Sequence, residues 1–220
     1  MNVAVLTLTR DRLEYTQHCF AKLAEYAGCE YDHYVYDNGS SDGTAMWLAK
    51  EFRAKHVTLG VENIGIPAAM NFLLDSLLGT YDVIVTFDND CELVQSDTLK
   101  TVCELVDESG QLLSPRILGL QNPPASQGEF WIGQSRIVDI PQIGGIFLAA
   151  PAYLYDTFRY DTRDEREDVQ VCWHWRARGG RCGYVDELEA WHYETTDGQM
   201  ARYVDYTRRK YAELGLPCPV

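Results

Sequence analysis

The sequence predicts an α/β fold in which a mainly parallel central sheet carries helices on both faces. Two observations predict it. Over the first ninety residues, apolar runs of strand length alternate with segments of helical spacing, in the order β-α-β-α-β-α-β. Such alternation favours parallel strands joined by right-handed helical crossovers. The run Val83-Ile-Val-Thr-Phe87 then leads directly into Asp88-Asn89-Asp90. A buried strand ending in Asp-x-Asp places hard oxygen ligands at the carboxyl edge of a sheet, where open α/β folds bind their ligands.

Val3–Leu8 reads as a buried strand, and Leu13, Thr16, Phe20, Leu23, Ala24 and Ala27 recur at helical spacing after it. Tyr31–Tyr36 reads as a second strand. It ends at Asp37-Asn38-Gly39-Ser40-Ser41-Asp42-Gly43, a run of turn formers and helix caps. A helix is expected over Thr44–Arg53 and a short strand over Lys55–Leu59. Ile66, Ala69, Met70, Leu73, Leu74 and Leu77 form one apolar helix face before the strand Asp82–Phe87. Beyond Asp90 the pattern changes. Helices are expected over Ser96–Ser109, Asp168–Arg178 and Gln199–Leu214, and a strand over Arg181–Val185. Residues 112–148 mix short strands with the loop Gln121–Gly128, as in a mixed-sheet half packed on the first. The expected organisation is one domain: residues 1–92 and 93–195 as its two halves, and 196–220 as a C-terminal helix.

Composition narrows the function classes. The chain has 220 residues, a net charge of −14 and 46% hydrophobic residues, enough for one large core. The acidity argues against an extended nucleic-acid surface or an anionic membrane as the main partner. Seven cysteines without a CxxC pair fit neither a disulfide framework nor a zinc knuckle. Reduced thiols and a cytoplasmic location are expected. No apolar run reaches membrane-spanning length, and the N-terminus does not read as a signal peptide.

Candidate chemistry gathers at strand ends and helix starts. Asp88 and Asp90 either cap the next helix or offer a metal and a ribose their carboxylates, with Asn89 between them. Asp37 and Asn38 either form an Asx-type turn or meet a base or ribose. Thr7, Thr9, Arg10 and Arg12 follow the first strand, where a guanidinium can pair with phosphate; the alternative is helix capping by Asp11. Asn63 and Gly65 precede a helix whose N-terminus favours anions, with Asn71 on its first turns; simple helix initiation is the alternative. Glu167 and Asp168 start a later helix and either complement its dipole or serve as a general base. His192 either is a structural histidine or completes a metal shell opened by carboxylates. Phe130 and Trp131 in an exposed-looking loop, with Trp173 on the Asp168 helix, are candidates to stack on an acceptor; plain packing is the alternative.

Taken together, these residues resemble the family 2 glycosyltransferases of the GT-A fold over about residues 3–195. Tyr36-Asp-Asn-Gly-Ser-Ser-Asp-Gly-Thr44 is similar to that family's VDNGSSDGT segment. Asn63, Gly65 and Asn71 match its N-x-G-x-x-x-A-x-N segment, and Asp88-Asn89-Asp90 its Asp-x-Asp motif. Gly144-Gly145-Ile146-Phe147 resembles the small-residue segment under the donor sugar, Glu167-Asp168 the Glu-Asp pair, and Trp191-His192 the late histidine. The resemblance implies a GT-A-like three-layer sandwich and inverting transfer of one sugar. The donor would be a nucleotide-sugar, a UDP-sugar by default. The acceptor would be a hydroxyl on a glycan, a lipid-linked sugar, a small molecule, a modified nucleic acid or a protein. It implies Mn2+ or Mg2+ held by Asp88, Asp90 and His192. Asp37 would contact the base, Gly144 and Gly145 would lie by the donor, and Asp168 would be the base with Glu167 beside it. Tyr193–Met200 would be a lid. The chain departs from the family pattern at Leu8 and at Arg10-Asp11, where Pro and Tyr-Asn are usual. It also lacks the Gln-x-x-Arg-Trp motif of processive synthases. A retaining enzyme on the same fold and a non-catalytic sugar-nucleotide-binding protein are the alternatives.

Overall fold

The computed structural model describes residues 1–54, 56–120, 123–164 and 167–193, with 208 and 212 as isolated positions. Most of the expected C-terminal helix, and all of the Tyr193–Met200 segment but Tyr193, therefore lie outside the described residues.

The first half follows the sequence pattern. Strand β1 (Val3–Thr9) leads to helix α1 (Leu13–Tyr26), and β2 (Asp32–Asp37) to α2 (Thr44–Lys50). Then β3 (His56–Leu59), α3 (Ile66–Asp75) and β4 (Val83–Phe87) follow. The parallel order is β3-β2-β1-β4. The chain thus winds outward from β1 to β3, then returns to β4 on the other side of β1. The crevice at the carboxyl ends of β1 and β4 is a topological switch point, the place where such sheets bind ligands.

The second half adds β5 (Cys91–Leu93), α4 (Thr98–Ser109), β6 (Leu112–Leu118), β7 (Gly128–Ile132), β8 (Ser135–Asp139), β9 (Phe147–Pro151), a 3-10 turn at Ala152–Asp156, α5 (Glu167–Arg176) and β10 (Cys182–His192). One ten-stranded sheet runs through both halves, in the order β3-β2-β1-β4-β9-β6-β10-β8-β7, with β5 pairing β10. Beyond β4 it is mixed: β9 is antiparallel to both β4 and β6, while β6 and β10 are parallel. The parallel character is therefore confined to β1–β4 and to the β6–β10 pair.

Period-2 alternation sorts the strands onto two cores. Val3, Val5, Val83, Val85 and Phe87 face one side, with Phe20 and Leu23 of α1, Leu48 of α2, and Leu99, Val102 and Val106 of α4. Ala4, Leu6 and Ile84 face the other, with Met70, Leu73 and Leu74 of α3 and Val171 and Cys172 of α5. This is a three-layer sandwich, and each such buried Val or Leu contributes about 1.5–3 kcal/mol relative to exposure.

Strand β10 extends seven residues past the expected Val185. Its pairing with β6 shifts between Val185 and Glu189. The intervening acidic residues hid the continuation from the sequence. Asp186 there binds Arg116 and, at 2.8 Å, Arg136. Helix α5 is tied to the sheet through Asp139, which accepts from Arg176 at 2.9 Å and from Arg181 at 2.7 Å.

His33 of β2 is buried among Phe20, Tyr31 and Phe52, with ring centroids 4.7, 5.9 and 5.4 Å away. Its Nε2 lies 3.0 Å from the Thr7 hydroxyl. Burial lowers its pKa from 6.5 to about 3, so the neutral ring belongs to the folded chain. The unfolded chain takes up the proton first. Stability is therefore complete above about pH 6.5 and falls as pH drops toward 3, by at most about 5 kcal/mol from this group. Urea midpoints measured from pH 7 to pH 4 should fall, and His33→Phe should flatten the fall. An equally steep fall in His33→Phe would assign the acid sensitivity to other groups.

Candidate active site

A cavity of about 510 Å³ occupies the switch point. Its walls come from the end of β1 and the following turn (Thr9, Arg10, Arg12), the end of β4 (Thr86, Asp88, Asn89, Asp90), Asn38, Asn63, Gly65, Gly145, Asp168 and His192. Most of the predicted residues thus converge on one space.

The acidic end of β4 forms the floor. One ligand atom from each of Asp88, Asp90 and His192 lies within 4.8 Å of the others. His192 Nε2 is 3.3 Å from Asp90 Oδ1, and Arg12 Nη1 donates to Asp90 Oδ2. Two carboxylates and an imidazole form a donor set that suits Mn2+ or Mg2+. A single short pairing brings them together, since β5 lies antiparallel to the end of β10 with His192 opposite Cys91. Tyr193 secures this junction twice. Its N–H donates to the Asp90 carbonyl at 3.0 Å, and its phenol donates to Glu92 at 2.6 Å. Glu92 is buried and lies 3.2 Å from His18. Nothing in the sequence marks Glu92, and Tyr193 stands there only as the first residue of an expected lid; both brace the cluster from outside the cavity.

The run Asp37–Gly43 builds the neighbouring wall. Asp37 is fully buried, and its carboxylate accepts from the Thr9 hydroxyl at 2.9 Å, the Ser40 N–H at 2.9 Å and the Ser40 hydroxyl. It therefore lies beneath the cavity rather than in it, and Thr9 and Asn38 form the surface above. Asn38 accepts from the Ile64 N–H at 2.8 Å, and Asn63 from the Gly65 N–H at 2.9 Å. Gly39, at φ 80°, lets this loop lie against Glu62, since a Cβ there would come within 3.0 Å of the Glu62 backbone.

Several predicted residues serve the scaffold. Thr7 is buried against His33. Asn71 clamps Tyr160, donating to its carbonyl and accepting from its N–H, each at 2.9 Å, and this sets Tyr160 in the cavity wall. Asn89 donates to the Thr16 hydroxyl at 2.7 Å, fixing the β4 end to α1. Asp168, on the first turn of α5, lines the cavity, and its Oδ1 accepts from the Val169 N–H at 2.7 Å. The Glu167 side chain lies outside the described residues.

The aromatic candidates stand apart. Phe130 and Trp131 belong to β7 at the far edge of the sheet, where Phe130 packs 3.9 Å from the Arg181 guanidinium. Trp131 and Trp173 are exposed and do not line the cavity. Hairpin pairing between β7 and β8, invisible in composition, carries the loop away from β4. Gly144 instead lines a neighbouring groove of about 260 Å³. Conversely Met70, Leu148, Tyr160 and Val171 line the cavity without having been expected there.

Comparison with known proteins gives the same picture of the fold. The sequence family described as glycosyl transferase family 2 matches residues 4–119. No curated protein matches the sequence. Among solved structures, the chain is similar to the mannosyltransferase PcManGT from Pyrobaculum calidifontis in complex with GDP-Man and Mn2+. That similarity has 17% identity and a TM-score of 0.68, over 96% of this chain and 63% of that one. It is also similar to GalNAc-T7 with UDP, GalNAc and Mn2+ (12% identity, TM-score 0.70, over 97% of this chain and 50% of that one). A third similarity is to TarS 1–349 from S. aureus in complex with UDP-GlcNAc (16% identity, TM-score 0.69, over 100% of this chain and 68% of that one). The chain thus spans 63% of the first of these proteins and half of the second. Among the described residues, no helix is long and apolar enough to cross a membrane.

Proposed function

The chain belongs to glycosyl transferase family 2, and on that premise we propose that it moves one sugar from a nucleotide-sugar to a hydroxyl acceptor, inverting the anomeric centre. The observation that carries this reading is the cluster Asp88–Asp90–His192 on the floor of a cavity at the switch point of the sheet.

Each wall has a task in this reading. Thr9, Asn38, Asn63 and Gly65 seat the nucleoside, and Asp37 braces Thr9 and the Ser40 turn from below. Arg10 and Arg12 face the diphosphate, for which a guanidinium is a two-point donor. Asp88, Asp90 and His192 would hold Mn2+ or Mg2+, which when bound neutralises charge on the leaving nucleoside diphosphate. Gly145 leaves room for the sugar between β4 and α5. Asp168 accepts the proton of the attacking hydroxyl, and Asn71 holds Tyr160 in the wall of the same cavity. UDP is the default nucleotide, and the acceptor is any hydroxyl that reaches Asp168.

Thermal unfolding with a panel of nucleoside diphosphates and nucleotide-sugars, with and without Mn2+, tests the donor site. One nucleotide should raise the midpoint only when Mn2+ is present. The stabilisation at a hundredfold excess over Kd is about 2.7 kcal/mol. No shift with any nucleotide, in a folded sample, would leave the family fold without the proposed activity.

A further inference from the structure

We propose that Arg12 is an internal cation that competes with the metal for Asp90, so that metal and nucleoside diphosphate bind as a coupled pair. The inference rests on the metal-dependent donor site proposed above and goes beyond it.

Asp90 is the best-buried carboxylate of the metal-ligand cluster, with its side chain 7% exposed. Its two oxygens are both engaged: Oδ2 by the Arg12 guanidinium and Oδ1 near His192 Nε2, at 3.3 Å. A divalent ion held by this carboxylate would meet a positive charge already in place. The two cations would repel, and the pair between Arg12 and Asp90 would weaken as the metal binds. Arg12 has somewhere to go, because its side chain is 41% exposed and lines the cavity together with Arg10. A diphosphate in that cavity is the natural partner for the released guanidinium.

The backbone shows that Arg12 is aimed rather than adrift. Arg12 has φ 65° and ψ 48°, and Asp11 before it has φ 57°. Two successive left-handed residues that are not glycine persist only when their surroundings over-determine them. The Ser40–Asp42 turn does so. The Asp11 N–H donates to the Ser40 hydroxyl at 2.7 Å, the Ser41 N–H to Asp11 Oδ1 at 2.7 Å, and the Leu13 N–H to Asp42 Oδ2 at 2.9 Å. The Arg12 carbonyl accepts from the Thr16 N–H and hydroxyl at 2.9 and 3.0 Å. The turn that follows β2 thus holds the turn that follows β1 in the shape that delivers Arg12 to Asp90.

The consequence is thermodynamic. The metal alone has to displace Arg12 without compensation and binds weakly. Metal and diphosphate together convert the lost Arg12–Asp90 pair into an Arg12–phosphate pair, so each tightens the other by the same factor.

Electron paramagnetic resonance of free Mn2+, titrated with protein with and without UDP or GDP, tests this without any turnover. Arg12→Gln and Arg12→Gly both remove the cation, and glycine also relieves the left-handed backbone, so that variant should fold. Both should bind Mn2+ alone tighter, by about fivefold, the order expected of a half-exposed ion pair. In both, the tightening that the nucleotide adds should shrink. Arg12→Lys, which keeps the charge, should stay close to the parent chain. Unchanged or weaker binding of Mn2+ alone in both cation-free variants would overturn the role of Arg12 and leave the metal site standing. No Mn2+ binding by the parent chain with either nucleotide would remove the metal site, and this proposal with it.

Discussion

Asp168→Asn is expected to lower the rate of sugar transfer by about 10²–10⁴-fold while leaving donor binding intact. The asparagine amide has the shape of the carboxylate and can keep the contact with the Val169 N–H, but it cannot accept the acceptor's proton. The helix that carries it should not move. Helix α5 is held by Arg176 on Asp139 at 2.9 Å and by Cys172, whose sulfur accepts from the Ile143 N–H at 3.3 Å. The midpoint shift with nucleotide and Mn2+ should therefore match that of the parent chain, and the loss should fall on kcat. A factor of 10³ corresponds to about 4 kcal/mol of transition-state stabilisation. Full transfer by Asp168→Asn would remove Asp168 from the base role. The anomeric configuration of the product, read by NMR, is an independent check, because the base role belongs to inversion and a retaining enzyme would not use it in this way.

The second large effect is expected at Asp90. Asp90→Ala removes the carboxylate that touches both His192 and Arg12. The Mn2+-dependent stabilisation by nucleotide should fall by more than about 100-fold in apparent affinity, since loss of a direct ligand exceeds the 10- to 100-fold cost of losing a residue that merely orients one. Folding should survive. The chain at this point is held by its backbone, through the Tyr193 N–H on the Asp90 carbonyl at 3.0 Å and the pairing of β5 with β10. Persistence of the Mn2+-dependent shift in Asp90→Ala would place the metal elsewhere or remove it from the reaction.

The sequence made the first half legible because β1 and β4 are buried on both faces and read as continuous apolar runs. Helix α3 showed itself through the spacing of Ala69, Met70, Leu73 and Leu74, all of which are buried. The acidic end of β4 was legible as a strand end, but Asp-x-Asp alone also fits a helix cap, and only the polar residues after the other strands pointed to a shared site. The second half was less so. Several of its strands pair antiparallel, and β10 passes through the polar stretch Asp186–Glu189 on its way to His192. Alternation marks a strand but not its neighbour. Thus Phe130 and Trp131, plausible as acceptor contacts in a loop, lie on a hairpin at the far edge of the sheet.

What the chain's one-dimensional pattern determined was the kind of layer each segment joins and the edge at which its polar residues emerge. Both follow from local rules: the period of burial, the caps and the turns. What only the tertiary structure decided is which polar groups face the cavity and which brace it. Asp37 and Asn71 carry the same chemistry as residues that line a site, yet one lies beneath Thr9 and the other grips the backbone of Tyr160. Arg12 points at Asp90, 78 positions away, because the Ser40–Asp42 turn holds its backbone left-handed. Such contacts depend on which strand lies beside which, and pairing between distant segments is set by global packing rather than by any local run of residues.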